Sequence, residues 1–130
     1  MKKYWVVLLI TIFTFCLIFL ACIHQTVHQD ATFFEHHSYI DVWRESIHAV
    51  NDIGFTVHSL DKDAGFIGAE SGPQIGQDHP PRLSILISQK RGRIYVDCKV
   101  LHIEEFVDIF GHGRRTIANF MMALHTRLNH

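Results

Sequence analysis

Hydrophobic and polar positions divide the chain into two unlike parts. Residues 4–21 carry no charge and are relieved only by Thr11 and Thr14, behind a positive start at Met1, Lys2 and Lys3. An apolar run of that length after a basic start predicts an export signal or a membrane anchor. From residue 38 the apolar positions become periodic instead. Ile40, Trp43, Ile47, Val50 and Ile53 recur every three or four residues, with Arg44, Glu45, His48 and Asp52 between them, which predicts one amphipathic helix with one buried stripe. Ser38 stands where it can cap that helix, Asp41 follows three residues on, and Gly54 is placed to end it in a left-handed conformation.

Gly54 leads directly into two short alternating runs, residues 55–60 and 66–71, around the polar connection Asp61-Lys62-Asp63-Ala64-Gly65. This predicts a hairpin with Phe55, Val57, Ile67 and Ala69 turned inward, and Gly68 marks an edge or a bulge in its second strand. Gly72, Pro73, Gly76, Pro80 and Pro81 then make a loop. Beyond it Leu83, Ile85 and Ile87 alternate with Ser84, Leu86 and Ser88. After a turn at Gln89-Lys90-Arg91-Gly92, Ile94, Val96, Cys98 and Val100 alternate with Tyr95, Asp97, Lys99 and Leu101. Residues 102–113 fit a strand extension or a loop. A last helix over residues 114–128 carries Ile117, Phe120, Met121, Leu124 and Leu128 along one stripe.

Two hairpins between two amphipathic helices define an α+β domain, a four-stranded antiparallel sheet with both helices packed on one face in a helix-grip-like arrangement. The expected organisation is residues 1–21 as signal peptide or membrane anchor, 22–37 as an irregular tether, and 38–130 as the single domain. A chain of 130 residues has room for no more. Lys plus Arg number 12 against 13 for Asp plus Glu, a net charge of -1, so the strongly basic face of a nucleic-acid binder is missing. The three cysteines, Cys16, Cys22 and Cys98, include no C-x-x-C pair and build no disulfide framework. Cys98 falls on the core-facing side of its strand, where a lone thiol is shielded in an oxidising compartment.

Phe19-Leu20-Ala21-Cys22 closes the apolar run and resembles the bacterial lipobox, with Phe19 and Leu20 bulkier than that pattern prefers. The resemblance implies a thioether-linked diacylglycerol on Cys22, cleavage before it, and acylation of the new amino terminus by a chain such as palmitate, which together anchor stably. An uncleaved transmembrane helix and ordinary signal-peptide cleavage are the two other readings. All three leave Lys2 and Lys3 inside and put the domain outside the cytoplasm.

Candidate chemistry is sparse. Gly111-His112-Gly113-Arg114-Arg115 enters the last helix with two arginines opposing its dipole. Glycine-freed N–H groups beside His112, Arg114 and Arg115 could hold a phosphate or carboxylate. Alternatively the arginines point into solvent or are neutralised by Asp108, Glu104 or Glu105. His24 and His28 are four apart, but no carboxylate completes a ligand set, and outside the tether, which also holds His36 and His37, the other seven of the 11 histidines scatter without H-x-H or H-E-x-x-H spacing. No metal and no cofactor is expected. No serine stands in a G-x-S-x-G turn, and Glu104 and Glu105 would diverge on a strand. A meeting of His58 with Asp97 on the open sheet face reads as a surface pair. The chain therefore does not read as an enzyme.

One resemblance covers residues 38–128. A helix carrying Trp43 is followed by Gly54 and Phe55 opening a strand. An Asp-rich turn with Asp61 and Asp63 then ends in Gly65 before Ile67, and a closing helix bears Phe120 and Leu124. In this order of features the chain resembles the small domains of bacterial envelope lipoproteins of the BamC (NlpB) kind, which implies an accessory or scaffolding role with no active site to carry over. The expectation is a non-catalytic interaction module of the bacterial cell envelope. It would be held to the membrane through lipid on Cys22, face the periplasm, and bind an envelope protein. The alternative is a periplasmic metal- or anion-binding protein. The surface expected to meet a partner is the sheet face away from the helices. There Leu60, Leu86, Tyr95 and Leu101 stand among Thr56, His58, Ser84, Ser88, Asp97 and Lys99, with Tyr95 as anchor.

Overall fold

The computed structural model describes residues 2–20, 24–72, 80–104 and 111–130. In chain order the elements are α1 (Lys2–Leu20), β1 (His24–Phe34), α2 (Tyr39–Asp52), β2 (Phe55–Asp61), β3 (Phe66–Ser71), β4 (Arg82–Lys90), β5 (Arg93–Glu104) and α3 (His112–Leu128). The strands form one antiparallel sheet in the order β1-β5-β4-β3-β2. The fold is thus α+β as expected, but with five strands and three helices rather than four and two.

The added strand comes from the stretch expected to be a tether. β1 pairs with β5 along its whole length, from His24 opposite Glu104 to Phe34 opposite Ile94. Its apolar pattern is faint for a physical reason. As an edge strand β1 lies at the margin of the core, and of its described side chains only Phe34 is buried, so Gln, Thr and His are tolerated elsewhere. Glu104 ends β5, which makes the first part of residues 102–113 a strand extension.

Local signals place the other elements where the pattern predicts them. Ser38 caps α2, its hydroxyl accepting from the Asp41 N–H at 3.1 Å and donating to Asp41 Oδ2 at 2.6 Å. Gly54 follows with φ +83°, and β2 begins at the next residue. Arg91 and Gly92, both at positive φ, close the β4–β5 hairpin as a two-residue loop between Lys90 and Arg93. The buried stripe of α2 differs from the predicted one. Val42, Trp43, Ser46, Ala49 and Val50 are buried, whereas Ile40 is 58% exposed. The small side chains of Ser46 and Ala49 let the helix approach its neighbours closely, and that rotates Ile40 outward.

The core lies between one sheet face and the two helices α2 and α3. Ile67, Leu83, Ile85, Ile87, Ile94, Val96, Cys98 and Val100 meet Val42, Val50, Ile117, Phe120 and Leu124 there. Across the helices, Arg127 grips Asp52 with two bonds, 2.6 Å from Nε to Oδ2 and 2.9 Å from a terminal nitrogen to Oδ1, and reaches Glu45 at 3.4 Å.

α1 has 19 residues, the first two of them lysines. Its uncharged remainder is about 26 Å long at 1.5 Å per residue, against roughly 30 Å of bilayer hydrocarbon. Among the described residues no helix is long and apolar enough to cross a membrane. The apolar run of the sequence continues to Ala21, outside the described residues.

A candidate docking face on the open side of the sheet

Alternation along each strand sends every second side chain to the face that α2 and α3 leave uncovered. On β5 these are Tyr95, Asp97, Lys99 and Leu101. Opposite them on β4 stand Ser88, Leu86, Ser84 and Arg82, and on β1 Phe33, Ala31, Gln29 and Val27. Leu86 in turn faces Phe66 on β3. The register makes Leu86 and Tyr95 diagonal neighbours rather than a direct pair. Together with Phe33 and Phe66 they form an apolar band across four strands. Phe33 and Tyr95 meet with tilted rings, 6.0 Å between centroids and 44° between planes, and the Arg93 guanidinium lies 5.1 Å above the Phe33 ring while it pairs with Glu35 at 2.7 Å. Phe33 is 49% exposed and Leu86 47%, whereas Tyr95 is half-buried.

Polar groups flank the band, and several of them pair with one another. The Gln29 amide donates to both Asp97 oxygens, at 3.0 and 2.9 Å. Arg82 pairs with Glu70 at 2.8 Å, and His58 Nε2 lies 3.9 Å from the same Glu70 oxygen. His58 and Asp97 do not meet, because β3 and β4 stand between their strands. Leu60 also departs from its expected outward place. The register shifts between Val57 and Ser59, so Leu60 ends opposite the core residue Ile67 and leaves the open face. That shift sits opposite Gly68, the position at which the sequence marks a bulge.

The other sequence candidates lie apart from this face. His112 opens α3 behind Gly111, whose φ of +64° is left-handed. Arg114 and Arg115 are exposed in a first turn with no acidic residue and no side-chain cap. Gly113 is buried against β1, and a Cβ built there would collide with the His28 ring. His24 and His28 belong to a strand rather than a helix, which sets their Cα atoms about 13 Å apart, too far for one ion. Among the described residues no three His, Cys, Asp or Glu side chains gather as a metal site. Cys22, Glu105 and Asp108 lie outside the described residues. Cys98 is free and wholly buried. Burial first, then the Asp97 and Asp30 charges, pushes its thiol up to about 12.

The structure thus defines a class by architecture, an antiparallel five-stranded sheet packed under two helices, with no catalytic cluster among the described residues to narrow it. The same fold is seen in an uncharacterised protein from Bacillus thuringiensis, 8% identical, with a TM-score of 0.57 over 79% of this chain and 99% of that one. It is seen also in Ara h 8.0201, 8% identical, with a TM-score of 0.54 over 81% of this chain and 100% of that one. At such identity the likeness is one of fold. No family model and no curated protein matches the chain. Sequence reasoning missed Phe33 and Val27 because it missed β1. The one available signal was the β-forming content of Thr26, Val27, Thr32, Phe33 and Phe34.

Proposed function

We propose that this protein is a lipid-anchored accessory module of the bacterial cell envelope that docks a protein partner on the open face of its sheet and catalyses no reaction. The observation that carries this reading is the band of Phe33, Tyr95, Leu86 and Phe66 on a face the core does not use. Half-exposed aromatic and aliphatic side chains with polar neighbours around them are the composition of a docking patch with a polar rim. For the anchor, the uncharged part of α1 is short of a full hydrocarbon span, and Cys22 follows it closely. Acyl chains on Cys22 would hold the domain where the helix alone is marginal. The order of features shared with envelope lipoproteins of the BamC (NlpB) kind, and the helix-grip-like packing, support a scaffolding role on the periplasmic side.

The test is Leu86→Glu and Tyr95→Glu in the full chain, read by crosslinking in cells and by melting. Both sites are on the solvent side, so Leu86→Glu should change stability by about 0.5 kcal/mol and Tyr95→Glu, which also loses the ring contact with Phe33, by about 1–2 kcal/mol, while a crosslinked partner disappears. Crosslinking that survives both substitutions removes this face from consideration. Mass spectrometry of the extracted protein checks the anchor independently. A chain beginning at acylated Cys22 is expected, and an intact Met1 with unmodified Cys22 replaces the lipid by the helix.

A further inference from the structure

We infer that the end of the sheet where β1 begins is held against the bilayer surface, with the first turn of α3 beside it and Arg114 and Arg115 reaching the lipid headgroup phosphates. This rests on the anchored reading above, whether the anchor is lipid on Cys22 or the helix itself. Its basis is chain length. β1 starts at His24, so only residues 21–23 separate it from α1. At about 3.5 Å per residue, His24 lies within about 14 Å of Leu20 and about 7 Å of Cys22. The slack that a 16-residue tether would have given is absorbed into the sheet, and the domain cannot turn this end away.

The topology then decides what else is carried to the surface. Glu104 is directly opposite His24. α3 runs alongside β1 in the same direction, since Gly113 packs on the His28 ring and His125 lies 4.9 Å from Phe34. The start of α3 is therefore on the anchored side of the sheet, level with His28 about 13 Å along β1 from His24, and its finish is at the far end. Arg114 and Arg115 are exposed there, and neither makes an ion pair among the described residues. Glu104 shares this end, so the arginines act through their reach to individual phosphates rather than through a net positive field. The opposite pole is the β2–β3 turn. Gly65 accepts from the Ile87 N–H at 2.8 Å, and Ile87 continues through Val96 to Thr32, about 26 Å along β1 from His24.

The experiment uses the full chain in phospholipid nanodiscs that contain a gadolinium-chelating headgroup lipid, with amide signals compared with and without the metal. Broadening should be strong at Val27, Arg114 and Arg115 and weak at Lys62, Asp63 and Ala64. Arg114→Gln with Arg115→Gln should reduce the broadening of the α3 first turn while leaving that of Val27 in place. Uniform broadening, or broadening strongest at residues 62–64, overturns the inference. Unchanged broadening in the double variant removes the arginines from it. A chain that does not float with the nanodiscs at all refutes the anchoring instead, so the two failures are told apart.

Discussion

Replacing Gly65 by alanine should destabilise the domain far more than the same change at Gly92, although the two backbones are nearly alike. Gly65 has φ +73° and Gly92 +78°, and an alanine at either site bears the left-handed strain of about 1–2 kcal/mol. Their surroundings differ. A Cβ at Gly92 meets nothing within 4 Å, whereas at Gly65 it would run into the Ile87 carbonyl oxygen and approach the Tyr39 hydroxyl at 3.0 Å. The obstructing oxygen is backbone of a central strand and cannot rotate aside, so overpacking adds about 1–3 kcal/mol. The shift needed to relieve it stretches the bond from the Ile87 N–H to the Gly65 carbonyl, 2.8 Å long, at about 0.5–1.5 kcal/mol. Gly65→Ala should therefore cost about 2.5–6.5 kcal/mol, and Gly92→Ala about 1–2 kcal/mol. In a domain of this size each kcal/mol moves the melting midpoint by about 4–8 °C, so the two variants should separate by roughly 6 °C or more. Thermal melts by circular dichroism on the full chain, with denaturant curves to confirm an unchanged m-value, measure both. Equal losses would refute the reasoning, because they would mean that β4 yields to the new methyl at no cost.

Two further outcomes follow from the charge and thiol environments. Arg44 and then Arg127 hold the Glu45 carboxyl below its usual range by hydrogen bonding, and Arg127 does the same for Asp52. Both folded values are depressed, so the stabilisation is complete above the ordinary carboxylate values of 4.5 and 3.8 and is lost as pH falls through the folded ones. The melting temperatures of wild type and Arg127→Gln should differ at neutral pH and converge in acid; parallel curves would dissociate Arg127 from the acid response. The Cys98 thiol, pushed up to about 12 by burial, should resist alkylation at pH 8 in the folded chain and react after unfolding; peptide mapping that finds it modified before unfolding would place it outside the core.

How much of this was legible in the sequence depended on how many faces of an element are buried. β4 and β5 are covered on one side and open on the other, so their alternation named the inward residues Leu83, Ile85, Ile87, Ile94, Val96, Cys98 and Val100 correctly. α3 showed its stripe for the same reason. α2 was recognisable as a helix from its cap and its period, but the stripe was misplaced because Ser46 and Ala49, neither of them a large apolar residue, occupy its closest packing. Leu60 was misplaced by one register shift, which reverses every side chain beyond it. β1 was missed altogether: it is an edge strand whose pairing is mostly backbone to backbone with β5, and such pairing leaves little mark on side-chain identity. The docking band was accordingly seen only from its β4 and β5 side, through Leu86 and Tyr95, without Phe33.

Finding β1 changes the functional geometry as well as the strand count. Phe33 is nine residues along β1 from His24, about 30 Å at 3.3 Å per residue. Its row neighbours Tyr95, Leu86 and Phe66 occupy the same far part of the sheet. Arg114 and Arg115 occupy the near part, beside His28. With only residues 21–23 before β1, the near part is confined to the membrane surface on the anchored reading, and the apolar band is presented at a fixed height above it. A partner docked on Phe33 and Tyr95 would then be held about one domain length from the bilayer. Lengthening the 21–23 connection by a flexible insert should free that height, while leaving the band itself intact. A partner that requires the height should then lose its crosslink although Leu86 and Tyr95 remain in place, and one that requires only the face should keep it.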